Sequence, residues 1–139
     1  MTFLITGAAG FIGQAVVALM HDRGYDVLPV VRRAAGLPNE VVVPRLDLDT
    51  DWGKSLAGCR TVIHLAARTH VMKEEAADPL AEFRKVNVDG TLALARQAAQ
   101  AGADRFVFVS SIKVNGERTE PGRSFRADSL PAPEDAYGI

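Results

Sequence analysis

Thr2-Phe3-Leu4-Ile5-Thr6-Gly7-Ala8-Ala9-Gly10-Phe11-Ile12-Gly13 is the stretch on which the reading of this chain turns. Thr2 to Thr6 is a β-branched and aromatic run that stops at a glycine, the pattern of a short buried strand. From Phe11 to His21 the apolar residues Ile12, Val16, Leu19 and Met20 recur at helical spacing, so this segment predicts a helix. Between the two stand Gly7, Gly10 and Gly13, equally spaced. A strand, a glycine turn and a helix therefore open the chain. The same glycines, with Thr2, Thr6 and Gln14, break up the uncharged stretch ahead of Asp22, and no basic segment precedes it. Neither a secretory signal nor a membrane span is expected.

Outward from this turn the alternation repeats. Val27 to Val31 predicts a second strand, Glu40 to Leu46 a third, Trp52 to Leu56 a short helix and Thr61 to Ala66 a fourth strand. An irregular or short helical piece is expected near Val71 to Ala77. Pro79 to Ala101 then predicts the main helix, with Gly102 as its C-terminal stop, and Phe106 to Ser110 a fifth strand. Apolar strands separated by helices imply a parallel sheet covered on both faces by right-handed crossovers. The expected fold class is α/β, a doubly wound parallel sheet truncated after its fifth strand, forming one domain over residues 1–139. In such folds the strands lie in the order 3-2-1-4-5 and ligands bind at the carboxyl ends of strands 1 and 4. Residues 115–135 are polar, and Pro121, Pro131 and Pro133 forbid regular helix or central strand, so they predict a surface excursion.

Composition narrows the function classes. The 139 residues are 47% hydrophobic, enough for a core, and their 16 basic and 17 acidic side chains leave a net charge of -1 and a pI near 6.3. No electrostatic footprint for nucleic acid or an anionic membrane follows. Cys59 is the single cysteine and has no disulfide partner, which suits a reducing cytoplasm. His21, His64 and His70 fall in different elements with no ligand spacing, so no metal site is expected.

The glycine turn carries the first chemical signal. Between a strand and a helix, one glycine permits a tight turn, another lets the backbone approach a pyrophosphate, and a third lets helix and strand pack closely. The helix N-terminus adds free N–H donors and about half a positive charge for phosphates. At the end of the second strand, where an acidic residue would meet a ribose 2′-hydroxyl, the chain has Arg32-Arg33. A guanidinium forks onto phosphate oxygens, so NADP is favoured over NAD by Arg32, with NAD kept as the alternative. Two arginines after a strand also suit a solvated loop.

The Thr6-to-Gly13 run resembles the T-G-x-x-G-x-x-G turn of the extended short-chain dehydrogenase/reductase family, within its NAD-dependent epimerase/dehydratase (UDP-glucose 4-epimerase-like) group. Asp47-Leu48 is similar to the pair that family places beside the adenine, His64-Leu65-Ala66-Ala67 to the strand segment flanking the cofactor, and Asn87-Val88-Asp89-Gly90-Thr91 to the N-V-x-G-T of its central helix. The resemblance covers nearly the whole chain and implies a Rossmann-type fold. It implies cofactor contacts at Gly7, Gly10, Phe11, Ile12, Gly13, Arg32, Arg33, Asp47, Leu48, Leu65, Ala66, Ala67 and Asn87. Taken singly, Asp47 also reads as a residue stabilised at a helix start, Asn87 as a satisfied buried amide and Ala66-Ala67 as core.

Ser111, after the fifth strand, and Tyr137 are similar to the family's catalytic serine and Tyr-x-x-x-Lys. The resemblance implies that tyrosinate takes the proton of a substrate hydroxyl while the serine hydrogen-bonds the same oxygen. An unperturbed tyrosine titrates at about 10, so an ammonium must favour the phenolate. That lysine would fall at position 141 (137 + 4), past Ile139, and no motif places Lys113 behind the tyrosine. The chain is accordingly expected to be an inactive N-terminal part of a longer enzyme. Ile112-Lys113 stands where dehydratases of the group carry Asp-Glu, which disfavours dehydration. The resemblance thus implies a nucleotide-sugar 4-epimerase acting on a UDP-sugar. The alternatives are an NADPH-dependent 4-ketosugar reductase of surface-polysaccharide synthesis and a non-catalytic NADP-binding module. Strand 5 carries no charge or proline against edge pairing from Phe106 to Val109, so a homo-oligomer joined near it is expected, with 115–135 disordered or folded over that edge.

Overall fold

A computed structural model of the chain describes residues 2–69 and 77–139. The piece expected near 71–77 lies, save for Ala77, outside them. The elements run β1 (Thr2–Thr6), α1 (Phe11–Asp22), β2 (Asp26–Val31), β3 (Val41–Val42), α2 (Gly53–Leu56), β4 (Cys59–His64), α3 (Pro79–Arg84), a π-helical turn (Lys85–Gly90), α4 (Thr91–Gln100), β5 (Arg105–Phe108) and a 3₁₀ turn (Ile112–Val114). The strands form one parallel sheet in the order β3-β2-β1-β4-β5, as the doubly wound pattern predicts.

Strand alternation sorts the core onto the two faces of this sheet. Leu4, Val30 and Val62 point to one face, where Trp52, Leu56, Leu94 and Ala98 cover them from α2 and α4. Ile5, Val27 and Val31 point to the other, against Ala8 and Val17 of the turn and α1. Pro29 is fully buried inside β2, where a proline is unusual. The carbonyl of Val30 faces β1 and that of Val31 faces β3, so alternation turns the position of the missing Pro29 amide toward β3. Pairing with β3 begins only at Val30–Val41, and no ladder bond is lost.

Three strand ends differ from the sequence expectation. The third strand is two residues long, not Glu40 to Leu46. Its ladder closes with the Val43 amide on Val31, and Pro44 has no amide to continue it. Glu40 is used otherwise, its carboxylate accepting the amides of Ala35, Gly36 and Leu37 and closing the loop ahead of β3. The fourth strand stops at His64 rather than Ala66, because the Leu65 and Ala66 amides turn onto the Thr6 hydroxyl. The fifth strand then stops at Phe108 rather than Ser110, since its partner has ended and the Val109 amide makes the last bond, to His64. The outer side of β5 meets no strand among the described residues, and Val107 and Phe108 are exposed there.

The main helix is also interrupted. Asp78 caps its start by accepting the Ala81 amide, Pro79 fills the first turn, and Gly102 ends it at φ +82°. Between lies the π-helical turn, which carries Asn87. Residues 115–135 hold neither helix nor strand. They fold back on the 3₁₀ turn, with the Ala132 amide donating to Val114 and the Asn115 side chain to Ser129.

Candidate functional site

The carboxyl ends of β1, β2 and β4, the loop after β3 and the first turns of the main helix enclose an open cleft of about 1100 Å³. The three glycines form one wall, for three different reasons. Gly7 has φ +68°, and a Cβ there would stand 2.8 Å from the Ala66 nitrogen, so the turn leans directly on the end of β4. A Cβ on Gly13 would stand 2.1 Å from the Gly7 carbonyl oxygen, so only glycine lets α1 start this close to β1. Gly10 differs, for it has ordinary extended backbone and a Cβ there would meet only the Gly7 oxygen, at 3.1 Å. Its bare face is turned to the cleft. No side chain caps the α1 N-terminus, and Phe11 is 97% exposed, so the amides of the first turn open into the cleft.

The opposite wall comes from β4. Thr6 Oγ1 accepts the Leu65 and Ala66 amides, each at 3.2 Å, and lies 2.6 Å from His64 Nδ1. His64 Nε2 reaches Thr91 Oγ1 at 2.9 Å. Leu65, Ala66 and Ala67 thereby line the cleft with small or apolar surface. Asn87 does not line it. Its amide clamps the Arg68 backbone instead, Oδ1 accepting the Arg68 amide at 2.8 Å and Nδ2 donating to its carbonyl at 3.0 Å. Gly90 lets the Leu46–Asp47 backbone lie against the helix, since a Cβ there would stand 3.1 Å from the Leu46 carbonyl carbon. Asn87, Gly90 and Thr91 thus each hold a different cleft-forming segment.

The adenosine end suggested by the sequence is strongly basic. Arg32, Arg33 and Arg45 all line the cleft. Asp47 also lines the cleft, but its carboxylate is occupied: one oxygen pairs with Arg45 at 2.8 Å, and the other accepts the Thr50 hydroxyl and the Asp49 amide. Burial works against its charge, yet Arg45, Thr50 and Asp49 together hold the carboxyl below its ordinary range. Leu48 is 59% exposed and off the wall. At the other end stand Arg68, Glu82 and Lys85, with the Arg68 guanidinium 5.4 Å from the Phe83 ring centre.

Ser111 caps the 3₁₀ turn, its Oγ accepting the Lys113 amide at 3.3 Å. Tyr137 lies with its ring 6.0 Å from that of Phe83, between centres. Neither lines the cleft, and Tyr137 connects to its Arg68 end through Phe83. Lys113 Nζ is held at 2.7 Å by both Asp135 and Glu117, which push its pKa upward. It is an ion-pair anchor for the segment that carries Tyr137. The sequence reading passed over Thr6, Arg45, Arg68 and Lys85. Of these only Thr6 had a sequence signal, as the first residue of the glycine-turn motif.

The profile of the NAD dependent epimerase/dehydratase family matches residues 3–139. A UDP-glucose 4-epimerase from Vibrio cholerae is 41% identical over 141 aligned positions, covering 99% of this chain and 43% of that protein. A short-chain dehydrogenase/reductase superfamily protein from Agrobacterium tumefaciens, solved with bound NAD, superposes with a TM-score of 0.85 at 32% identity, over 99% of this chain and 41% of its own. MoeE5, solved with UDP-glucose and NAD, superposes with a TM-score of 0.82 at 33% identity, over 99% of this chain and 44% of its own. The chain spans less than half the length of each of these three relatives.

Proposed function

Since the chain belongs to the NAD-dependent epimerase/dehydratase family of short-chain dehydrogenase/reductase proteins, we propose that it forms the dinucleotide-holding part of a cytoplasmic nucleotide-sugar 4-epimerase. The observation that carries this reading is the bare face of Gly10 beside an uncapped helix N-terminus, both opening into a cleft of about 1100 Å³. The pyrophosphate would be held by the first-turn amides of α1 at Phe11, Ile12 and Gly13. The adenosine would lie between Arg32, Arg33 and Asp47, and the nicotinamide end toward Ala66 and Ala67. The bound cofactor supplies a reversible hydride acceptor.

The chain's own part in the reaction is proton transfer. Tyr137 would take the proton of a sugar hydroxyl, with Ser111 donating a hydrogen bond to the same oxygen. Lys113 cannot assist, because Asp135 and Glu117 hold its ammonium. These 139 residues alone are therefore expected to bind dinucleotide without turnover. A UDP-sugar substrate is supported by the identity to the Vibrio protein.

The arginines support a second reading, an NADPH-dependent 4-ketosugar reductase. Arg32 and Arg33 line the cleft at the end of β2, and the Asp47 carboxylate that also lines it is already paired with Arg45. A 2′-phosphate would be matched there. Calorimetric titration with NAD and NADP decides between them. Preference for NADP that Arg32→Asp abolishes supports the reductase. Equal or NAD-favouring affinity supports the epimerase. Binding of neither dinucleotide overturns both.

A further inference from the structure

His64 ends β4 fully buried, at 1% exposure, and no step proposed above uses it. Its surroundings nevertheless define its protonation. A hydroxyl oxygen has two lone pairs and one proton. Both lone pairs of Thr6 Oγ1 are taken by the Leu65 and Ala66 amides, so its proton must go to His64 Nδ1, 2.6 Å away. Nδ1 therefore accepts, the ring proton sits on Nε2, and Nε2 donates to Thr91 Oγ1. Among the described residues the ring also meets two aromatic side chains of β5, Phe108 stacked and Phe106 tilted. The hydrogen-bond partners from β1 and α4 are both uncharged hydroxyls. Burial with no compensating charge pushes the imidazole down to about 4.

We infer that His64 is a positioning residue for the cleft: locked as the neutral tautomer protonated on Nε2, it ties the β1 turn, the end of β4 and α4 together at the spacing a dinucleotide needs. This rests on the cofactor reading above. A second proton would place a donor on Nδ1 against an oxygen with no lone pair left. To accommodate it, the Leu65 or Ala66 amide must leave Thr6. The Ala66 peptide is also the surface on which Gly7 packs, so the displacement enters the glycine turn. Protonation of one buried ring thus loosens both walls of the cleft.

Two variants separate this role from simple packing. His64→Gln offers an oxygen acceptor and a nitrogen donor spaced much as the two ring nitrogens are, with no titration, whereas His64→Phe keeps the ring and removes both. Nitrogen NMR of the free protein at neutral pH should show Nε2 protonated and Nδ1 bare. His64→Phe should speed hydrogen exchange at the Leu65 and Ala66 amides and weaken dinucleotide binding about tenfold. His64→Gln should restore binding and abolish the loss of affinity that wild type shows as pH falls toward about 4. A proton found on Nδ1, or His64→Phe with unchanged exchange and affinity, overturns the inference. Should His64→Phe not fold, an acid loss in His64→Gln equal to that of wild type overturns it. Wild-type protein that shows the expected tautomer and exchange but binds neither dinucleotide overturns the cofactor reading and the role assigned to the lock, leaving the hydrogen-bond geometry standing.

Discussion

Gly10 and Gly13 sit three residues apart in one motif, yet a methyl group added to each meets a different world. At Gly13 it would collide with the Gly7 carbonyl oxygen at 2.1 Å and with Ala8 at 2.8 Å, both backbone, so neither can swing aside. Gly13→Ala should therefore cost about 1–3 kcal/mol of stability from overpacking between β1 and α1. At Gly10 the same methyl would press only on the Gly7 carbonyl oxygen, at 3.1 Å, so Gly10→Ala should lower stability much less, by a slight shift there and the modest difference between those residues at a helix N-cap. Its effect should fall on dinucleotide affinity, because the added carbon occupies the path of closest approach to the helix amides. Urea unfolding followed by the fluorescence of buried Trp52, the one tryptophan, measures the first effect, and calorimetric titration the second. A Gly10→Ala protein that binds as tightly as wild type would remove the glycine turn from the phosphate site.

Among the elements, the broken main helix shows how a side chain reshapes a backbone ladder. The π-helical turn over Lys85–Gly90 brings Asn87 to the Arg68 backbone, where it both donates and accepts. Arg68 lies beyond the end of β4 at His64, and there the Asn87 amide holds its backbone. Asn87→Ala would leave that donor and acceptor unmatched at a half-buried site, a cost of about 1–3 kcal/mol. The local readout is exchange of the Arg68 amide, which should quicken in the variant while the amides of β1 and β2 hold their protection. Equal protection at Arg68 in both proteins would show that the clamp is dispensable. The break was not legible in the residue pattern, because 79–101 keeps helical periodicity on both sides of it and the cause lies across space at Arg68.

At the scale of the molecule, acid sensitivity follows from groups whose pKa values all move the same way. Amides of the 35–37 loop hold Glu40 low against a smaller cost of desolvation. Asp47 is held low despite its burial, and Lys113 and the Gly138 amide hold Asp135 low. A carboxylate depressed in the folded state contributes fully above its unfolded pKa of about 4 and loses that contribution as pH falls through the folded value. His64 is depressed too, from 6.5 to about 4, so its contribution is complete above 6.5 and drains between those two values. The urea midpoint should accordingly be flat from about pH 8 to 7, decline gently below about 6.5 and fall steeply below about 4. In His64→Gln the gentle limb should vanish and the steep one remain. A midpoint that rises on acidification from pH 7 to 5 would contradict the sign of the His64 contribution.

The sequence by itself determined the order of elements, the parallel sheet and the place of the crevice, because hydrophobic period, glycine spacing and helix stops are local properties that each segment carries with it. Residues 2–13 spell strand, turn and helix with no reference to the rest of the chain. Which side chains build the cleft wall was decided only in three dimensions. Asn87, read as a cofactor contact or a buried amide, holds Arg68 and leaves the wall to others; Leu48 stands in solvent; Arg45 enters from a segment whose local pattern gives no hint of it. The strand ends were likewise settled by partners, the Thr6 hydroxyl ending β4 and the end of β4 in turn ending β5. A hydrogen bond across the sheet depends on the distance between residues dozens of positions apart, and only the packed fold sets that distance.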